Sequence, residues 1–265
     1  MSPTRIYSIV LRQVILNRRS WGRWVGLLYW PTIDLVVWGT LSVFIQKAGG
    51  GQFNAFVFLI GSVILMNFIW RSQQGIAVSF LEDVWTRNFV NLFSSPLTLG
   101  EYIVGLTATA ILRVLFSIAA MCVLAWLLFA FNIFAFGFYL IPFLAILFIF
   151  SVAVGFFSVG ITLRIGPSAE ALVWSIPAII APLSGAMYPI SVLPLWIQKI
   201  SLLLPSTYVF EGMRAVIVAG AFNTQALGIA FLLSVFYLLF SIYYVFRSYR
   251  TVLRRGLFSR FSTTD

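Results

Sequence analysis

Long apolar stretches separated by short polar ones dominate the chain. A transmembrane helix needs about 20 predominantly apolar residues to cross a hydrocarbon core of roughly 30 Å. Several stretches approach this length, so we expect an all-α polytopic membrane protein with six transmembrane helices. The predicted spans are residues 25–45, 55–70, 103–131, 137–163, 171–187 and 227–246.

The first 24 residues combine arginines with apolar residues at helical spacing. Arg5, Arg12 and Arg19 fall within about 40° of one another on a helix that turns 100° per residue. Apolar residues occupy much of the remaining surface. The pattern predicts an interfacial amphipathic helix over residues 1–24, lying on the cytoplasmic face of the membrane. The alternative is a solvated basic leader.

The longest polar interruption, residues 71–101, separates the second and third predicted spans. Acidic residues near its start and Arg87 further along suit a short helix whose dipole they complement. Pro96 should end this helix because the residue before a proline is pushed out of the α region. We therefore predict a helix over residues 80–96. From the pattern alone, it either docks on a cytoplasmic partner or lies on lipid.

Residues 191–220 are apolar but too interrupted for one span. Pro194 and Pro205 break the segment, which also carries Glu211 and Arg214. We predict two short helices that form an outer re-entrant hairpin, with protein covering their backbone. Glu211 and Arg214 are three residues apart, so they form either an ordinary helical ion pair or part of a gate.

Composition supports a membrane protein and restricts its chemistry. Charged residues make up only 9% of the chain, against about 25% in soluble domains. Histidine is absent and Cys122 is the single cysteine, which argues against a Ser/His protease and against histidine or thiolate metal sites. The net charge is +10. Since the arginines cluster beside apolar runs, anionic lipid headgroups are a simpler partner than nucleic acid.

Arginine and lysine placement predicts orientation. With six spans, one side collects most of these residues, including the basic tail at 247–265, and the other side collects only Lys47, Lys199 and Arg214. We therefore expect both termini in the cytoplasm.

Two charges lie inside predicted spans, Asp34 and Arg113. Such charges are costly in lipid unless they are paired or face a cavity. Asp34 and Arg113 either pair with each other, or Arg113 lies near the headgroups; Asp34 could also serve a substrate or a proton. The aromatic content of 17% suits either a substrate path or lipid-facing packing.

Two regions resemble the ABC-2 family of ABC transporter permeases. The first is Leu92–Thr98 (LFSSPLT) followed by Glu101–Gly105 (EYIVG), which is similar to the coupling-helix region of that family. The second contains Ser184–Pro189 (SGAMYP), Leu193–Ile197 (LPLWI) and Leu204–Arg214 (LPSTYVFEGMR). The resemblance covers nearly the whole chain. It also agrees with the absence of a G-x-x-x-x-G-K-[ST] phosphate-binding motif.

The resemblance implies a permease subunit without catalytic, metal or cofactor residues. It implies dimerisation with a second permease copy and binding of two copies of a separate ABC ATPase, which would hold ATP and Mg. The location implied is the plasma (inner) membrane of a prokaryote, and the activity implied is export of a bulky or amphiphilic substrate such as a drug, a lipid or a lipid-linked glycan. The ATPase-coupling residues implied are Glu82, Asp83, Trp85, Arg87, Asn88, Phe89, Ser94, Ser95 and Pro96. The outer gate candidates are Tyr188, Pro189, Pro205, Tyr208, Glu211 and Arg214.

Two other classes stay open at this point. One is an ion-coupled secondary transporter that uses Asp34 or Glu211. The other is a membrane scaffold without transport activity.

Overall fold

A computed structural model describes residues 1–18, 21–48, 55–86, 88–220 and 223–254, and the described residues are almost entirely helical. A helix satisfies its own backbone hydrogen bonds, which is what an apolar surrounding requires. The α-helices are α1 Pro3–Arg18, α2 Trp21–Ala48, α3 Ala55–Trp85, α4 Phe89–Ser94, α5 Leu99–Phe129, α6 Leu140–Ile165, α7 Glu170–Leu183, α8 Leu195–Ser201, α9 Pro205–Ala219 and α10 Thr224–Arg254.

Helix α3 forms the centre of the bundle. In its most apolar stretch 78% of the residues are buried, against 22% in each of α2, α5 and α10. Helices α2, α5, α6 and α7 pack around it. Gly75 permits the closest approach, because a Cβ atom built there would lie 2.7 Å from the Cα atom of Ala110 on α5.

The contacts between helices define two ends of the bundle. At one end α1 meets the last turn of α3 and the first turn of α5, through Arg12, Asp83 and Tyr102. We call this the basic end, because most of the arginines lie there. At the far end Arg214 of α9 lies over the ring of Phe58 at the start of α3 and donates to the carbonyl of Gly185, just after α7.

The chain reverses direction between α6 and α7. Gly166 has φ 81°, a left-handed conformation that glycine adopts without steric cost. Beyond this turn α7 runs back along α3, since the Gln73 side chain donates both to Ser158 of α6 and to the carbonyl of Val173 of α7.

Helix α10 lies beside α6 and runs parallel to it. Ser234 approaches the carbonyl of Ile146 at 3.4 Å, and Ser248 accepts a 2.8 Å hydrogen bond from Arg164. Residue numbers therefore rise in the same direction along both helices. Ile9 of α1, Leu163 of α6 and Val252 of α10 belong to one buried hydrophobic cluster, so the two described termini of the chain lie at the same end of the bundle.

Five helical stretches among the described residues are long and apolar enough to cross a membrane, and the bent pair α8–α9 raises the number to six if it counts as one span. One of the five, Phe136–Leu183, contains the reversal at Gly166. Predicted spans one, three, four, five and six fall on α2, α5, α6, α7 and α10; the ends differ by up to four residues, except that α10 extends eight residues past the predicted end of span six.

Helix α3 is longer than the second predicted span. The sequence placed the end of that span at Trp70, and α3 continues to Trp85. Ser72, Gln73 and Ser79 on this extension are 0% exposed. The polar residues thus face neighbouring helices instead of marking a loop. The predicted helix over residues 80–96 is corrected accordingly: residues 80–85 end α3, and the separate helix is only Phe89–Ser94.

Helix α1, Pro3–Arg18, falls within the segment 1–24 predicted as an interfacial helix, and its place at the membrane surface stays a prediction. Two arginines of its basic stripe, Arg5 and Arg12, bond to carboxylates of the bundle, with 42% and 28% of their side chains exposed. Arg19 lies outside the described residues. The outward face carries Tyr7, Leu11 and Ile15, which are exposed.

Residues 195–218 form two helices that meet at an angle of 100°. This agrees with the two short helices predicted for the interrupted segment 191–220. Whether they enter the membrane stays a prediction. Pro205 occupies the first turn of α9, where its missing N–H costs nothing.

Candidate functional site

The surface predicted to couple to an ATPase lies at the basic end, where α3, α4 and α5 follow one another. Trp85 closes α3 with 44% of its surface exposed. Ser94, Ser95 and Pro96 at the end of α4 are exposed, and Asn88 is half-buried. Arg87 and the side chain of Phe89 lie outside the described part of the chain. The exposed coupling candidates therefore form a surface at the α3–α4 corner and at the end of α4.

Asp83 occupies a different position from these exposed residues. Its carboxylate is 1% exposed and accepts hydrogen bonds from Arg12 of α1 and, at 2.7 Å, from the hydroxyl of Tyr102 of α5. Burial alone would lower the pKa of the Arg12 guanidinium, but the hydrogen bond and charge of Asp83 outweigh burial and raise this pKa. Asp83 therefore joins three helices and is not part of the exposed surface.

A second carboxylate, Glu101, ties α1 to the segment that follows α4. Glu101 accepts from the backbone N–H of Ser2 at 2.7 Å and pairs with Arg5 at 3.4 Å. It also forms a capping box with Thr98, which starts α5. Arg5 donates in addition to the carbonyl of Pro96. A force on the end of α4 would thus reach α1 directly.

A cavity of about 1070 Å³ opens between α2, α3, α5 and α7. Its volume is slightly above the ~300–1,000 Å³ usual for ligand pockets. Two acids, two arginines and four tryptophans contribute to its wall, along with smaller apolar residues. These charged and aromatic residues are Asp34, Glu82, Arg71, Arg113, Trp30, Trp38, Trp70 and Trp174.

The alternative in which Asp34 and Arg113 pair with each other is not realised. Asp34 accepts from the side-chain amide of Asn67 at 3.3 Å. Arg113 donates to the Oε1 atom of Gln13 on α1 at 3.2 Å. Both charges nevertheless line the cavity, as does Glu82. The cavity wall thus balances two carboxylates against two guanidinium groups.

The outer gate candidates gather at the far end, where α9 holds the segment after α7. Glu211 pairs with Arg214 at 2.6 Å and accepts from the backbone N–H of Ile190 at 2.9 Å. The predicted ion pair is therefore present, and it also fixes the loop that contains Pro189. Tyr188 lines the cavity and donates to the carbonyl of Pro182. Tyr208 and Pro205 lie at the start of α9, outside the cavity wall.

Comparison with known families gives a match to the model of the ABC-2 type transporter over residues 4–218. The chain belongs to this family. Comparison with curated proteins gives no match. The protein is thus a multi-pass membrane permease component of an ABC transporter, and the family implies a transporter system that includes an ATPase partner. A permease component of this kind is not itself catalytic.

Sequence reasoning missed several residues that organise the basic end of the permease. Ser2, Gln13, Glu101 and Tyr102 all bond across helices, yet none was a candidate. Only Glu101 had a visible signal, the spacing Thr98-x-x-Glu101 of a capping box. The partners of the others depend on helix packing that no local pattern specifies.

Proposed function

We propose that the permease exports a bulky or amphiphilic substrate such as a drug, a lipid or a lipid-linked glycan. The supporting observation is the cavity between α2, α3, α5 and α7. A volume near 1070 Å³ accommodates a large molecule, and its four tryptophans offer flat apolar surfaces for rings or chains. The charged groups of the wall would contact a polar head group.

Transport would be driven by two copies of a separate ATPase, which bind ATP and Mg. We expect each ATPase to contact Trp85 and the α4 segment up to Pro96. Trp85 is a large aromatic residue left exposed at the basic end, and such residues are frequent anchors of protein interfaces. Movement of α4 would pass to α1 and α5 through Arg5 and Glu101.

We further propose that two copies of the permease form a dimer through α2. Only 22% of the residues in the apolar stretch of α2 are buried within one chain, and Val36, Val37 and Phe44 are exposed. The cavity lies beside this helix, so a second copy would close one side of it. The basic end would face the cytoplasm of a prokaryote, following the distribution of arginine.

The test is co-purification with an ATPase encoded beside the permease, followed by ATPase assays of the complex in lipid vesicles. The variant Trp85→Ala should reduce stimulation of the ATPase about tenfold, as loss of an interface anchor worth about 1.4 kcal/mol would. Trp196→Ala is the matched control, because Trp196 is also exposed, at 66% against 44% for Trp85, but lies on α8 at the far end.

Two results would contradict this proposal. One is the absence of any ATPase in the purified complex. The other is an equal effect of Trp85→Ala and Trp196→Ala, which would mean that the α3–α4 corner is not the contact.

A further inference from the structure

Four arginines at the basic end of α6 and α10 lack acidic partners among the described residues. Arg164, Arg247, Arg250 and Arg254 are exposed, and no described carboxylate lies within 4.0 Å of them. Arg5 and Arg12, at the same end of the bundle, each pair with an acid. The positive charge of the α6–α10 corner is therefore available to a ligand.

Arg164 is held in one orientation. Its Nε atom donates to the buried hydroxyl of Ser248 at 2.8 Å, and its guanidinium lies 4.7 Å from the centre of the Tyr244 ring. Tyr244 rests directly on α6 because residue 160 is a glycine; a Cβ atom there would lie 2.4 Å from the ring. Ser248 thus occupies the Nε atom of Arg164, and Tyr244 covers one face of its guanidinium. The two terminal nitrogens are the donors that could bind a ligand.

The other three arginines lie on one side of α10. Arg247, Arg254 and Arg250 are about 60°, 80° and 120° from Tyr244 around the helix, all in the same direction. Arg247 is thus the one nearest to the side on which Arg164 stacks. Its guanidinium donates to the hydroxyl of Tyr243 at 3.3 Å.

An apolar surface continues from this cluster toward the middle of the bundle. The rings of Phe157 and Tyr244 lie 5.3 Å apart, and the ring of Phe240 is stacked parallel to that of Tyr244. Phe240 is 48% exposed. Phe157 precedes Arg164 by seven residues, so it lies about 10 Å deeper along the helix. This is the direction in which the chains of a lipid would extend from its phosphate.

We propose that the α6–α10 corner is a binding site for an anionic phospholipid. The terminal nitrogens of Arg164 would bind the phosphate, since guanidinium offers two parallel donors that match phosphate oxygens. Arg247 would add a second charge, and the acyl chains would lie along Phe157 and Phe240. General attraction of arginines to a membrane surface needs only charge, whereas this site also fixes the orientation of Arg164. The site is independent of the ATPase contact.

The experiment is native mass spectrometry of the purified permease titrated with phosphatidylglycerol in detergent, with phosphatidylcholine as the neutral comparison. Arg164→Gln should weaken phosphatidylglycerol binding about fivefold or more, the loss expected when a charge-assisted hydrogen bond to phosphate disappears. Arg250→Gln is the matched control. It removes the same charge from α10 but at about 120° from Tyr244, and it should change binding less than about twofold.

Ser248→Ala tests the geometry without changing charge, and it keeps the proposal testable if Arg164→Gln does not fold. It removes the partner that orients Arg164, so phosphatidylglycerol binding should fall about threefold. Three results would overturn the proposal. Arg164→Gln and Arg250→Gln could weaken phosphatidylglycerol binding equally, the wild-type permease could bind phosphatidylcholine as tightly as phosphatidylglycerol, or inorganic phosphate could displace the bound lipid. The last would indicate a site for free phosphate.

Discussion

At the corner where α1, α3 and α5 meet, Arg5 and Arg12 pair with carboxylates that are at most 2% exposed. At the corner of α6 and α10, the contacts of Arg164 and Arg247 with other described residues are to neutral hydroxyl groups and an aromatic ring. Both corners belong to the same end of the bundle, so a count of arginines does not separate them. They differ in whether a carboxylate on another helix lies close enough to pair with the arginine.

This difference has an energetic consequence. A carboxylate withdrawn from water needs its cation, and removing one partner leaves a buried charge at a cost of several kcal/mol. An exposed arginine keeps its hydration and costs little to remove. The first corner therefore holds the N-terminal helix in place, and the second leaves charge free for the membrane.

The largest effect should come from the shared carboxylate of the first corner. Asp83→Asn keeps the shape of the side chain but removes the charge that faces Arg12 and accepts from Tyr102. We expect a loss of about 3 kcal/mol in the free energy of unfolding, at the lower end for a buried pair because Arg12 is 28% exposed. Denaturing-detergent titration of the purified permease measures this free energy.

Glu170→Gln is the control for that change, since Glu170 is an exposed acid at the start of α7. Its effect should stay within about 0.5 kcal/mol. If Asp83→Asn costs no more than the control, the buried network does not hold α1, and the contrast between the corners disappears.

A smaller effect on the free energy of unfolding is expected from alanine substitution of two glycines, Gly75 on α3 and Gly160 on α6. At Gly75 an added Cβ meets the backbone of Ala110 at 2.7 Å, and a helix backbone cannot yield locally. At Gly160 it meets the ring of Tyr244, which can rotate away. Gly75→Ala should cost about 1–2 kcal/mol, the overpacking penalty less the gain in helix propensity, whereas Gly160→Ala should cost less because a side chain shifts more easily than a backbone.

The same detergent titration compares the two glycine variants, and Gly26→Ala provides a control because nothing lies within 4 Å of a Cβ atom there. A larger loss for Gly160→Ala than for Gly75→Ala would show that Tyr244 is fixed as rigidly as a backbone.

Much of the fold could be predicted from the sequence because lipid imposes a simple rule. Apolar stretches of sufficient length become helices, and the helices α2, α5, α6, α7 and α10 were located in this way. The end of α3 could not be located, because Gln73 and Asp83 look like loop residues in a hydropathy pattern. Their burial depends on partners, Ser158 and Arg12, that lie 85 and 71 residues away in the chain.

The candidate site shows the same limit. The stretch Ser94–Pro96 was identified by a local motif and is exposed in the structure. Charge alone left open whether Asp34 and Arg113 pair, and in the structure Asn67 donates to Asp34 and Arg113 donates to Gln13. An uncharged amide carries no hydropathy signal strong enough to distinguish it as a partner. Local chemistry can therefore be predicted from the sequence, whereas contacts between helices can be identified only from the packed structure.

The smallest expected effect belongs to the second corner. Arg164→Gln removes an exposed charge that contacts the Ser248 hydroxyl and the Tyr244 ring. In detergent without added lipid it should change the free energy of unfolding by less than about 0.5 kcal/mol, as for most surface substitutions. Added phosphatidylglycerol should then stabilise the wild-type permease more than the variant, because a ligand stabilises only the form that binds it. A loss in lipid-free detergent as large as that of Asp83→Asn would mean that Arg164 holds α6 to α10, and that the two corners serve the same structural purpose.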